Sequence, residues 1–214
     1  MHDLVIYGAG GLGQEMEGLV RATDPGGRMW NFLGFIDDSL SVGTMVSGYP
    51  VLGGRERLTS RTTPTAVAMG LTSPSVRADL YASLTRNPGI IFPTLVHPLA
   101  YVEASASLAP GAIVSPFCFV AVNASIGVCS FLNVSSQVGH DSVVGDFCAI
   151  MPGVGISGNV KIGARALIGA GAKILQGLSV GSDTVVGIGS VVLNDVPDYC
   201  TVMGYPARVI KKGG

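Results

Sequence analysis

The 214-residue chain has 13% charged residues, a net charge of −1, 31 glycines and a mean hydropathy of +0.50. Neutralising the phosphates of a nucleic acid takes clustered Lys and Arg, and only Arg208, Lys211 and Lys212 gather, so a nucleic-acid partner is excluded. No run approaches the roughly 20 apolar residues that cross a bilayer, so no membrane span is expected and the apolar residues must recur periodically through a core. The four cysteines (118, 129, 148 and 200) lack metal-ligand spacing, and no leader pattern opens the chain. A cytoplasmic protein with reduced thiols and no metal is the expectation.

In chain order, Asp3 to Tyr7 reads as a strand entering Gly8-Ala9-Gly10-Gly11-Leu12-Gly13, with a helix from Gln14 to Ala22. Phe32 to Ile36 reads as a second strand ending in Asp37-Asp38. Ala66 to Met69 reads as a third, ending at Gly70. Ser73-Pro74 then supplies a cap and first turn for a helix to about Arg86. Repeated strand–turn–helix units predict a Rossmann-like α/β domain with a parallel sheet over residues 1–90. Ligands on such sheets sit at the carboxyl ends of the strands, here Gly8–Gly13, Asp37-Asp38 and Gly70. A glycine turn opening a helix offers N–H groups to a pyrophosphate. A nucleotide sugar, a dinucleotide such as NAD and a merely structural turn all fit the motif. The segment is short for a dinucleotide fold and no hydride-transfer domain follows, which favours the nucleotide sugar.

Residues 91–101 read as a connection. From Val102, every sixth residue to Val192 is Val, Ile or Leu without a break. Four places after each stands a small or β-branched residue, from Ala106 and Ala112 to Val196, with Leu178 the one exception. One large and one small inward residue per six describes a short strand and a tight corner. Three such units close a triangular coil, and coils stack at about 4.8 Å to give a prism roughly 25 Å tall over residues 102–197. The glycines that follow many of the aliphatics (Gly127, Gly139, Gly145, Gly163) are expected to supply corners with φ > 0. Cys118 and Cys148 fall in the small inward column and read as packing. Residues 198–214 leave the hexad as a basic tail.

Of three histidines, His2 lies at the terminus and His97 precedes a proline. His140, in Val138-Gly139-His140-Asp141, falls two places after an aliphatic, where side chains face outward, and a carboxylate follows it. One coil on stands Gly158, expected to leave open space over the imidazole. Gly153, Gly171 and Gly189 stack at one-coil intervals beside Pro152, Ala170 and Ile188. Such a column would expose backbone to an extended ligand such as the pantetheine arm of coenzyme A, although corner glycines required by backbone geometry explain the same pattern.

The hexads, Gly139-His140-Asp141 and the Gly204-Tyr205-Pro206-Ala207-Arg208 tail resemble the hexapeptide acyltransferases. With the glycine-rich front domain, the chain is similar to the bacterial nucleotide-aminosugar N-acetyltransferases of bacillosamine and perosamine type, and to sialic acid O-acetyltransferases. The resemblance implies a left-handed parallel β-helix, a homotrimer with acetyl-CoA between prisms, and direct transfer with His140 as general base. Asp141 would raise its basicity and Asn133 would be a polar member of the site. It places sugar-nucleotide contacts on Gly10, Gly11, Leu12, Asp37, Asp38 and Gly70, and cofactor contacts on Ala149, Ala170, Gly171 and Ile188. Leu12 and Ala149 stand where family members often carry His, which bears on the identity of the sugar.

The expected activity is acetyl-CoA-dependent N-acetylation of a UDP- or GDP-linked 4-amino-deoxysugar. Sugar O-acetylation of sialic acid type and a non-catalytic sugar-nucleotide binder are the alternatives. A carbonic anhydrase on the same prism would need three zinc-binding histidines, and the prism holds only His140.

Overall fold

The computed structural model describes residues 1–213, and these fall into two units, one of residues 1–95 and one that begins at Val96. In the first unit, β1 (His2–Tyr7), β2 (Trp30–Ile36), β5 (Thr65–Met69) and β6 (Ile90–Ile91) form a parallel sheet in the order β2-β1-β5-β6. Between β2 and β5 lie a two-stranded ribbon, β3 (Met45–Val46) and β4 (Tyr49–Pro50), and a short helix α2 (Glu56–Thr59). Helix α1 (Gly11–Thr23) follows β1, and α3 (Pro74–Leu84) follows β5. Leu4–Tyr7 and Ala66–Met69 are continuously buried, as the apolar runs of a parallel sheet covered on both sides require. The helix expected from Gln14 begins at Gly11, so two glycines of the turn belong to its first turn. Ser73 occupies the N-cap of α3 but its side chain makes no cap; its hydroxyl lies 3.2 Å from that of Ser75.

The front-domain glycines divide into two kinds. A Cβ on Gly13 would overlap the Gly8 carbonyl oxygen, one on Gly70 would meet Gly13 Cα at 2.6 Å, and one on Gly8 would meet the Gly70 carbonyl oxygen at 2.8 Å. These three hold turn, helix and strand end together by bare backbone. Gly10 and Gly11 have nothing within 4 Å on that side.

The second unit is a left-handed parallel β-helix. Face 1 stacks Leu95–Val96, Ile113–Val114, Phe131–Leu132, Ala149–Ile150, Leu167–Ile168 and Val185–Val186. Face 2 stacks Tyr101–Val102, Phe119–Val120, Gln137–Val138, Gly155–Ile156, Lys173–Ile174 and Val191–Val192. Face 3 runs from Ser107–Leu108 to Ser179–Val180. Each strand pairs with the equivalent strand of the next coil, as Phe119 with Gln137 and Val143 with Lys161.

Both inward columns pack in one core from Ala112 to Val202. The buried serines of the small column stitch the coils. Ser130 Oγ donates to the Gly145 carbonyl at 2.6 Å, Ser136 Oγ to Met151 at 2.9 Å and Ser142 Oγ to Ser157 at 2.8 Å. Such bonds remove the cost of burying a hydroxyl. Cys118 and Cys148 make the same contact through sulfur, each 3.0 Å from a carbonyl one coil on.

Three sequence expectations change. The first coil starts one hexad before Val102, because Leu95–Val96 already joins face 1 and Ala100 packs on the core. At the other end the chain stays on the prism: Cys200–Gly204 pairs with Val185–Val186, then turns into an antiparallel hairpin with Ala207–Lys212. The corners with positive φ fall three places after the aliphatics from Leu108 to Val186, and most are not glycine: Asn123 (57°), Ser135 (60°), Asp141 (58°) and Asn159 (56°) adopt it. The glycines directly after the aliphatics serve close approach. A Cβ on Gly127 would lie 2.5 Å from the Gly145 carbonyl carbon, and one on Gly139 2.5 Å from the Gly158 nitrogen.

Candidate active site

The carboxyl ends of β1 and β2 place the glycine turn beside the paired aspartates. The N–H groups of Gly10, Gly11 and Leu12 open α1 and, among the described residues, take no protein acceptor. No acidic residue occupies the first turn of the helix. Free N–H groups and the positive end of a helix make an anion site. Gly10 and Gly11 are exposed and Leu12 is half-buried, whereas Gly70 is buried and serves packing against Gly13.

Asp37 Oδ2 accepts the Ala9 N–H at 2.9 Å, and Oδ1 accepts the Ser39 N–H and hydroxyl at 2.9 and 2.6 Å. Burial pushes the Asp37 carboxyl up, but donors from Ser39, Ala9 and Leu40 outweigh it and hold the group below the usual carboxylate range. Asp37 therefore braces the glycine turn. Asp38 accepts the Tyr7 hydroxyl and, at 2.7 Å, the Arg55 N–H, while the Arg55 guanidinium pairs with Asp79 at 2.9 Å. Burial first, then the Asp38 carboxylate, pushes the Tyr7 phenol up to about 12. Sequence reasoning missed Tyr7, Arg55 and Asp79, because their link to Asp38 joins four separate elements.

On the prism, His140 and Asp141 lie on the edge between faces 2 and 3. The αL turn at Asp141 aims its carboxylate at the preceding ring: His140 Nδ1 and Asp141 Oδ2 are 2.8 Å apart, with both side chains about half exposed. One coil below, the Asn123 amide donates to Asp141 Oδ1 at 3.0 Å. That bond first, and the imidazole second, hold the Asp141 carboxyl below the usual range. An ionised carboxylate only accepts, so in the neutral imidazole Nδ1 carries the proton and Nε2 keeps its lone pair. Gly158 does not leave open space over the ring. A Cβ there would sit 2.6 Å from Cε1 and 2.8 Å from Cδ2, and closer still to Nε2, so the imidazole fills that space itself.

The other expected residues lie elsewhere on the prism. Asn133, Ala170, Gly171 and Ile188 line the edge between faces 1 and 2, one face away from His140. Asn133 Oδ1 accepts the Val134 N–H at 2.7 Å. The Gly171 N–H donates to Pro152 and the Gly189 N–H to Ala170, each at 2.8 Å, so the corner glycines offer no free donor. The N–H groups of Ala170 and Ile188 take no protein acceptor among the described residues. Ile188 is 72% exposed and the space beside Gly153, Gly171 and Gly189 is open, leaving an accessible strip with two donors. Ala149 departs from the expectation, being fully buried on face 1 and off this strip.

Residues 3–84 match the PglD N-terminal domain, and residues 135–176 match six repeats of the bacterial transferase hexapeptide. GDP-perosamine N-acetyltransferase of Escherichia coli O157:H7 is 32% identical over 183 residues, covering 83% of this chain and 82% of that one. The chain belongs to this family of hexapeptide-repeat acetyltransferases. Among solved structures, PerB from Caulobacter crescentus in complex with CoA and GDP-perosamine has a TM-score of 0.90 at 28% identity, covering 99% of this chain and 98% of that one. The acetyltransferase domain of PglB from Neisseria gonorrhoeae FA1090, in complex with acetyl coenzyme A, has a TM-score of 0.88 at 29% identity over 98% and 99%. As an acetyltransferase of this family, the chain uses acetyl-CoA as its co-substrate. Among the described residues no helix is long and apolar enough to cross a membrane.

Proposed function

We propose that this acetyltransferase N-acetylates a UDP- or GDP-linked 4-amino-deoxysugar, with His140 as general base. The observation that carries the reading is the bond from His140 Nδ1 to Asp141, which leaves Nε2 as an accessible proton acceptor. Nε2 takes a proton from the attacking amine as its nitrogen bonds to the thioester carbonyl. A backbone N–H stabilises the oxyanion of the tetrahedral intermediate. Collapse breaks the C–S bond, and the proton passes to the departing thiolate of CoA. The free N–H groups of Gly10, Gly11 and Leu12 suit the diphosphate of a sugar nucleotide, the ligand class that PerB from Caulobacter crescentus holds as GDP-perosamine.

Two donors on the edge between faces 1 and 2, those of Ala170 and Ile188, suit the amides of a pantetheine arm. That edge and the His140 edge lie a face apart in one chain, so the complete site takes one edge from each of two copies. This arrangement supports a homotrimer with cofactor between prisms and brings Asn133 of one copy to His140 of another. The four buried cysteines suit the reducing cytoplasm.

The test is CoA release from acetyl-CoA with a panel of UDP- and GDP-linked amino sugars, their hydroxyl analogues and free sialic acid. Turnover confined to the amines is expected. Turnover of the hydroxyl acceptors alone would make the chain an O-acetyltransferase, and none with any acceptor would leave a binding protein.

A further inference from the structure

The geometry assigns a positioning role to Asn123, a residue one coil below the His140–Asp141 pair, which orients the Asp141 carboxylate and through it the imidazole. This inference rests on His140 being the general base. Asn123 and Asp141 occupy equivalent corners of successive coils, with φ of 57° and 58°, so their side chains leave the prism edge one above the other. The Asn123 backbone is fixed in turn, since its N–H donates to Ser105 Oγ at 3.0 Å. Its side-chain amide donates to Asp141 Oδ1 at 3.0 Å, while Oδ2 of the same carboxylate faces Nδ1 at 2.8 Å.

An Asp carboxylate on an exposed corner turns freely about its last side-chain bond, with two equivalent oxygens to offer. Engaging Oδ1 from below leaves one orientation, in which Oδ2 points at the ring. The Asp141 N–H, bonded to the Val122 carbonyl at 3.0 Å, fixes the base of the same side chain. Above the ring the backbone of Gly158 closes the remaining direction. The imidazole is thus held between two neighbouring coils, and among the described residues Asn123 is the side chain that engages the Asp141 carboxylate besides the ring itself. Aspartate at position 123 would keep the shape and replace the donor by an acceptor facing an acceptor.

The test uses Asn123→Gly, which removes the amide without straining a left-handed corner, together with Asn123→Asp, Asp141→Asn, the Asn123→Gly/Asp141→Asn double variant and His140→Ala. Asn123→Gly and Asn123→Asp should each lower kcat roughly ten-fold with little change in KM for either substrate, because the residue acts only through the base. On the Asp141→Asn background, Asn123→Gly should cost nothing further. An Asn123→Gly enzyme with wild-type kcat, or the same loss with and without Asp141, would overturn the role of Asn123 while an inactive His140→Ala leaves the general-base reading intact. Near-normal turnover by His140→Ala would remove both.

Discussion

Replacing Gly158 by Ala tests the placement of the base without touching any group that takes part in proton transfer. The new Cβ would stand 2.6 Å from Cε1 and 2.8 Å from Cδ2 of His140, and ordinary carbon contacts need about 3.5–4.0 Å. The ring must therefore retreat by about 1 Å. Its half-exposed position lets it swing outward, so the change in stability should stay within about 0.5 kcal/mol, as for surface substitutions generally. The same retreat pulls Nδ1 from Asp141 and Nε2 from the amine. A misplacement of that size costs on the order of 10²-fold in rate, or about 2.7 kcal/mol of barrier. The loss is bounded above by that of His140→Ala, since Gly158→Ala can do no worse than remove the base. Steady-state CoA release gives kcat and thermal melting gives stability. A Gly158→Ala enzyme with kcat within two-fold of wild type and an unchanged melt would show that the ring does not work from the position described.

Removing the base outright, His140→Ala, should lower kcat by about 10²–10⁴ and leave CoA affinity unchanged by calorimetry; Asp141→Asn should cost less, because it only orients the ring. Asp37→Asn should weaken sugar-nucleotide binding and spare CoA. The Asp37 carboxyl lies below its ordinary value in the fold, so its stabilisation is present above an unfolded pKa of about 3.9 and is lost as pH falls through the folded value. The melting gap between wild type and Asp37→Asn should accordingly be full at neutral pH and narrow as pH falls below the unfolded value of about 3.9, and a gap that does not narrow in acid would refute the brace. Gly13→Ala should destabilise by about 2–3 kcal/mol, since its Cβ meets backbone that cannot retreat, whereas Gly10→Ala should leave the melt unchanged and reduce nucleotide affinity. Light scattering should give a trimer at micromolar concentration; a monomer with full activity would exclude a site shared between copies.

The prism was legible because its period is free of insertions: the aliphatic column from Val102 to Val192 maps directly onto the core. What the column could not reveal is which chemical property each corner demands. Glycine after an aliphatic looks like a turn residue, yet Gly127 and Gly139 are dictated by backbone of the next coil, while polar residues such as Asn123 and Asp141 carry the left-handed conformation. The outermost coils were missed for a related reason. Leu95–Val96 continues the register into a stretch that reads as linker, and the closing strand at Cys200–Gly204 pairs with Val185–Val186 at a shorter spacing than the hexads keep. His140 and Asp141 stood out by adjacency. Asn123 did not, although the one-coil step that relates His140 to Gly158 also relates Asn123 to Asp141. In the front domain the acidic pair was visible, but Tyr7 and Arg55, which bond Asp38, and Asp79, which pairs with Arg55, come from β1, the cap before α2 and α3 and meet only in three dimensions.

The three-faced winding also constrains how such a chain can lengthen or shorten in evolution. Loss or gain of one hexad between Asn133 and Ile188 would turn everything downstream by a third of a revolution, carrying the Ala170–Ile188 strip onto a different edge although every inward residue stayed inward. The core would tolerate the change and the proposed shared site would not. Gain or loss of a whole coil restores each residue to its edge and only slides it along the prism by about 4.8 Å. Length variation among active proteins of this architecture should therefore come in complete turns within the segment that joins base to cofactor, and in single hexads only beyond it.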